Sequence, residues 1–314
     1  MALAVADLAV RVAGLGLRNP FLLASGIWGE SGESLAGAWT AGAGGVITKS
    51  IGSVPRPGNP NPTVETYERW GMLNAMGLPN PGIDEYPREI DVAKRAGATV
   101  IGSIFGGSPE EFARLAARMA ATGVVALELN VSCPHAEGYG TEIGGTPHDV
   151  EAVVHAVTRE VRLPVIAKIT PNTADAAGLA LAAQKGGAAA VSAINTLRAL
   201  AIDTRLRRPV LAHGLGGLSG PAIKPVGLAC VWQIFEKVSI PVIGVGGVAT
   251  AQDALEYIMA GARAVEVGTQ VAFDGVALFG RLGADLSRLL DEGGFAGVEE
   301  AVGAAHRAPS VAPR

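Results

Sequence analysis

The chain is short of the residues that mark several function classes, and each scarcity excludes something. Its 314 residues contain two cysteines, Cys133 and Cys230, far apart in sequence. They make neither a disulfide framework nor a metal knuckle, and a reducing cytoplasm is the expected compartment. Charged residues are 17% of the chain, the formal net charge is −4, and no long basic run stands out. Nothing therefore advertises nucleic-acid or anionic-membrane binding. No apolar run reaches the ~18 residues that a membrane helix requires. The start, MALAVADLAVRVAGLGLRNP, lacks a basic n-region and is broken by Asp7 and Arg11, so it does not read as a signal peptide. Also missing is a Gly-x-Gly-x-x-Gly after the first strand with an acid some twenty residues on, which weakens a dinucleotide fold.

What is present is a run of short apolar segments rich in β-branched residues. They are FLLAS (21–25), GVITKS (45–50), TVIGSIF (99–105), VALELNVS (125–132), PVIAKIT (164–170), AAVSAIN (189–195), PVIGVGG (241–247) and AVEVGT (264–269). Between most of them lie Ala-rich stretches of helical period. SPEEFARLAARMAA (108–121) begins with an N-cap Ser, a Pro at the first helical position and acids in the first turn. TPHDVEAVVHAVTREV (146–161) and TADAAGLALAAQKGG (173–187) follow the same scheme. Strands alternating with helices in this number predict an α/β fold, a (β/α)8 barrel, as a single domain over residues 1–314 without a linker. LAVRVAGLGLRNP (8–20) predicts a hairpin plugging the barrel bottom, and the Ala/Pro-rich tail from about 304 to 314 is expected to pack weakly.

In such a barrel the chemistry sits at the C-terminal strand ends, where the βα loops converge. Two of only six lysines, Lys49 and Lys168, close strands inside apolar runs. A lysine so placed needs an anion or a polar partner, because burying a lone ammonium is expensive. Glu128, on the same strand face as Asn130 and Ser132, is the nearest acid, but few strand-end acids are in view and a bound anionic ligand is the favoured partner. Gly246 and Gly247 end the seventh segment, and Gly268 and Thr269 the eighth, each before a helix. Glycine allows close backbone approach and helix N-termini offer free N–H groups, so these loops are expected to hold phosphate. GGLSGPAIKP (216–225) forms a further loop before a helix and is expected to face the same group. Cys133 ends the fourth segment against Pro134, below a Gly-rich loop, where a thiol can act as acid, base or nucleophile; a small buried hydrophobe is the bland alternative. Cys230, in GLACVWQIFEKV, reads as core.

NVSCP, GMLNAMGLPNPG (71–82), AKITPN (167–172), INTL (194–197), GGLSGPAIKP, IGVGGV and VGT, in this order, resemble the dihydroorotate dehydrogenases. The likeness runs from about Leu17 to about Asp285 and is best to the class 1 catalytic subunit of the NAD-linked heteromeric form. That resemblance implies FMN in a barrel and oxidation of dihydroorotate to orotate in pyrimidine biosynthesis. It makes Cys133 the base that takes the C5 proton, and places Lys49 beside both flavin and substrate. Asn74, Asn130, Asn195 and Thr196 would bind orotate, with Ala75, Met76, Gly77 and Leu78 in the same loop as Asn74. Ser25, Lys49, Ser50, Ser103, Asn130, Lys168, Ile194, Gly220, Gly246, Gly247, Gly268 and Thr269 would contact the flavin, Lys168 at its N1–C2 edge.

Two positions depart from the family pattern. His135 replaces the usual Asn after NxSCP, a substrate-contacting position, and Ser103 stands where many relatives have Asn. The CPH form also resembles dihydropyrimidine dehydrogenase, but those enzymes usually carry iron–sulfur clusters and two cysteines cannot ligate one. A barrel binding a sugar phosphate without redox chemistry, or a flavin module without catalysis, are readings from other classes. Lacking cluster ligands and a second nucleotide fold, the chain is expected to need a partner carrying FAD and a [2Fe–2S] cluster to reach NAD. Fumarate or a dye is the alternative acceptor, and a homodimer or heterotetramer is the assembly that the resemblance suggests. No metal site is expected.

Overall fold

The computed structural model describes residues 6–131 and 143–307. Eight parallel strands close into a barrel in chain order. They are Phe21–Leu23, Gly45–Ile47, Val100–Ile104, Ala126–Asn130, Val165–Ile169, Ala190–Ala193, Val242–Val245 and Ala262–Val267, here the first to eighth strands. Each falls within, or overlaps, one of the eight apolar segments. The third, fourth and fifth are buried at every position, as strands covered on both faces must be. Their outward Val, Leu and Ile side chains meet the apolar faces of the surrounding helices in one continuous core.

The helices start where their side chains satisfy the first free N–H groups. Ser108 caps Pro109–Ala120, accepting from Glu111 N at 3.2 Å. Thr146 caps Pro147–Glu160 in the same way. In the third case the cap is Asp175 rather than Thr173, so the helix runs Ala176–Lys185 and closes on Gly186.

The strands Val10–Val12 and Leu15–Leu17 form the expected N-terminal hairpin, turning at Ala13 and Gly14, both with positive φ as a tight two-residue turn requires. It leads straight into the first strand and so lies at the barrel's N-terminal end. At the opposite end lies a small sheet in segments outside the eight apolar runs of the sequence. Val64–Tyr67, Gly71–Asn74, Leu197–Ala199 and Gly216–Ser219 form an antiparallel four-stranded sheet. Its strands come from the connections after the second and sixth barrel strands, which places it over the C-terminal mouth. Ala304–Arg307 forms a last helical turn, with the His306 ring stacked on Trp232 at 3.5 Å and its Nε2 3.1 Å from the Ala260 carbonyl. The rest of the tail lies outside the described residues. None of the described helices is long and apolar enough to cross a membrane.

Candidate active site

The strand ends and the small sheet above them enclose a cavity of about 360 Å3. Of the residues singled out in the sequence, Ser25, Lys49, Ser50, Asn74, Met76, Gly77, Leu78, Asn130, Lys168, Ile194, Asn195, Thr196, Gly220, Gly246, Gly247, Gly268 and Thr269 line it. They come from segments far apart in sequence, and barrel closure is what brings them together. Two do not reach the cavity. Ala75 points the other way, into a small apolar cluster with Leu73 and Leu211. Ser103 is fully buried one layer back, its hydroxyl 2.9 Å from that of Ser50. Cys133 and His135 lie outside the described residues.

Lys168 does not wait for an external anion, contrary to the sequence expectation. Its ammonium lies 2.5 Å from Glu266 and 3.7 Å from Glu128 at the cavity floor. Glu266 was missed because the eighth segment was read only at its end, Gly268 and Thr269. Two residues earlier the strand alternation turns an acid into the barrel. Burial opposes the charge on Lys168, but the two carboxylates outweigh it and hold the ammonium above its ordinary range. Glu266 is pushed up to about 8, first by burial and then by the neighbouring Glu128 carboxylate. Lys49 likewise finds a carboxylate within the chain. It pairs with Glu30, on the loop after the first strand; the Lys49 side chain is 7% exposed and that of Glu30 66%.

Between the two lysines runs a chain of amides and hydroxyls. Asn195 Nδ2 donates to Asn130 Oδ1 at 3.4 Å, and Asn130 Nδ2 donates to Ser50 Oγ at 3.0 Å. Ser50 also meets Ser25 at 3.3 Å. Asn130 lies beside Lys168 in strand register, which sets the amides directly against the cationic floor. On the sheet above, Asn74 Nδ2 donates to the Gly217 carbonyl at 3.1 Å. The loop that follows is clamped from two sides. Asn59 N donates to Met76 O, and Asn80, buried, accepts from Gly52 N and Gly82 N while donating to Leu78 O. Gly77 and Leu78 both have positive φ there, and a Cβ on Gly77 would meet Asn59 at 2.7 Å. Asn59 carried no recognisable sequence signal, whereas Asn80 lies within the motif GMLNAMGLPNPG without a role of its own being read there.

At the far end of the cavity the glycine loops of the seventh and eighth strands meet. Gly246 and Gly247 both have positive φ, and Tyr257 fixes them by donating to the Gly246 carbonyl at 2.7 Å. The N–H groups of Gly246, Gly247, Gly268 and Thr269 have no acceptor among the described residues. Thr250 caps the helix Ala251–Met259 by accepting from Asp253 N, and Asp253 in turn accepts from Ala249 N and Thr250 N, just before the helix. The first two helical N–H groups, Ala251 and Gln252, have no acceptor among the described residues. Lys224, in the third loop, is held by Asp253 at 2.6 Å and Glu256 at 3.0 Å. Available to an anion are the strand-end backbone donors and the Thr269 hydroxyl, which donates to Ser219 at 2.8 Å.

The family model described as dihydroorotate dehydrogenase matches residues 7–290. A protein of Methanocella arvoryzae, named dihydroorotate dehydrogenase B (NAD(+)), catalytic subunit, is 48% identical over 94% of this chain and 96% of its own length. Its namesakes in Pyrococcus furiosus and Thermococcus kodakarensis are 48% and 49% identical, over 95% and 96% of this chain and 98% and 99% of their own lengths.

Proposed function

The chain belongs to the dihydroorotate dehydrogenase family, and from that premise we propose that it oxidises dihydroorotate to orotate as the FMN-bearing catalytic subunit of an NAD-linked assembly. The observation that carries this reading is the two-ended cavity. Unpartnered backbone donors stand at one end, and a lysine-flanked amide chain at the other.

These donors suit FMN. A phosphate accepts hydrogen bonds and nothing else, so it fits the free N–H groups of Gly246, Gly247, Gly268 and Thr269. A Cβ on Gly247 would meet Gly220 O at 2.8 Å and Lys224 N at 3.0 Å, so that loop has no room for a larger residue. Lys168 would face the ring edge that gains electron density, where a fixed cation is most effective. FMN, when bound, supplies the acceptor for the hydride that leaves C6 of dihydroorotate.

The remaining work falls to side chains. Asn74, Asn130 and Asn195 each offer a donor and an acceptor, matching a ring whose edge alternates C=O and N–H. Lys49 would take the substrate carboxylate, and Glu30, its exposed partner, would yield that place. The thiolate of Cys133 would remove the C5 proton, a role that rests on the NVSCP motif. An electron-transfer partner carrying FAD and a [2Fe–2S] cluster would then relay electrons to NAD, since the two cysteines of this chain are too few to ligate a cluster. Anaerobic mixing of the purified chain with dihydroorotate should bleach its visible flavin absorbance. A colourless protein, or a coloured one that dihydroorotate leaves oxidised, would overturn the proposal.

A further inference from the structure

Beneath the cavity, the inside of the barrel holds a polar cluster around Lys168 whose two acids the proposed reaction does not account for. Glu128 on the fourth strand, Lys168 on the fifth, Ser192 on the sixth and Glu266 on the eighth converge there, all buried. Lys168 sits 2.5 Å from Glu266 and 3.7 Å from Glu128, and the Ser192 hydroxyl donates to Glu128 at 3.0 Å. One oxygen of each carboxyl group, Oε1 in both cases, is buried and has no hydrogen-bond partner. With both acids ionised the cluster would carry a net negative charge in a dry interior, together with two orphaned acceptors. Each of those conditions is costly.

We infer that Glu128 and Glu266 share one bound proton at neutral pH, which leaves the cluster electroneutral and makes Glu266 a positioning residue for the Lys168 ammonium. The proton removes the excess charge. It also turns one buried carboxyl oxygen from an acceptor into a donor, so that one fewer acceptor is left orphaned. Lys168 stays charged because a carboxylate remains beside it. The raised titration of Glu266, caused by burial and then by Glu128, agrees with this count. The other groups facing Glu266 from packed strands are Leu22 and Val245, which do not titrate.

The cluster touches the cavity through Lys168, Glu128 and Glu266, so its charge is felt by whatever lies on that floor. If the flavin reading holds, ionisation of the pair should oppose the arrival of electron density above it. That consequence rests on the proposed function, whereas the proton itself does not.

Two measurements separate the claims. Infrared difference spectra of the full chain between about pH 6 and about pH 10 should show one buried carboxylic C=O band, shifted in D2O, being replaced by carboxylate absorption. Glu266→Gln should abolish the band, and Glu128→Gln should abolish it too, because either leaves a single ionised acid against Lys168. Absence of the band in the unmodified chain, or its persistence in both variants, overturns the inference, and a colourless chain can still be tested in this way. In the flavin-loaded protein, the midpoint potential should fall with a steeper dependence on pH where the pair ionises, and Glu266→Gln should remove that break. The same break in the variant would show that the proton lies elsewhere.

Discussion

Cys133 and Cys230 are the chain's two cysteines, and the roles proposed for them set the first contrast at the scale of single side chains. Cys230 lies half-buried on the helix Lys224–Lys237, where burial pushes its thiol up and away from the reactive thiolate. Cys230→Ala should leave turnover nearly unchanged. Cys133→Ser should retain the flavin but slow its reduction by dihydroorotate about 10²–10⁴-fold, the usual contribution of a general base. Stopped-flow traces that match the unmodified protein would place the base elsewhere. Glu30 offers a second test. It competes with any substrate carboxylate for Lys49, yet it is mostly exposed, so its hold is worth only about 0.3–1 kcal/mol. Glu30→Gln should tighten orotate binding by about two- to fivefold, and weaker binding would mean that Glu30 helps the ligand. Glu266 makes stability depend on pH in the opposite sense from a salt-bridged carboxylate. Its folded-state value, about 8, lies above the ordinary 4.5, so in that window the folded chain keeps a proton that the unfolded chain has released. Stability should therefore fall as pH rises between those values and level off above them. Denaturation midpoints of Glu266→Gln should show a flatter slope there.

At the scale of elements, the loops carry the chemistry and the strands only place it. Gly247 shows how little freedom such a loop has. Its φ is +72°, and an added Cβ would press on Gly220 O, Lys224 Cβ and Lys224 N, none of them the far end of a side chain that can move aside. Gly247→Ala should cost about 1–3 kcal/mol of local strain, and weaken flavin retention, while the circular dichroism of the barrel is kept. Full flavin occupancy in that variant would show that the loop does not hold the phosphate. The barrel itself was legible because eight apolar segments buried on both faces alternate with capped helices, and both signals are local. The small sheet over the mouth was not. GMLN and GGLS are four-residue strands rich in glycine, and only pairing with each other makes them strands. For the same reason motif reading found Asn130 and Lys168 but not Glu266 or Glu30, whose roles come from partners distant in sequence. Asp253, part of the helical start after the seventh strand, turns back to accept from Thr250 N, a capping contact that only the folded turn reveals.

At the scale of the whole molecule, barrel closure sets two lysines with their carboxylates, three amides and two glycine loops around one cavity. The named relatives are catalytic subunits, and under the proposed function this chain alone should pass electrons to a small dye but not to NAD. NAD reduction by the isolated chain at the dye-linked rate would remove the need for a partner. Under the proposed function the cavity is built for orotate rather than for an uncharged pyrimidine, and the ligand's carboxylate is what distinguishes the two. Titration of the oxidised flavin spectrum with orotate and with uracil tests it most directly. Orotate should bind about ten- to a hundredfold more tightly, the equivalent of about 1.5–3 kcal/mol for one charged hydrogen bond, and Lys49→Ala should erase much of that preference. Equal affinities in the unmodified protein would contradict the account.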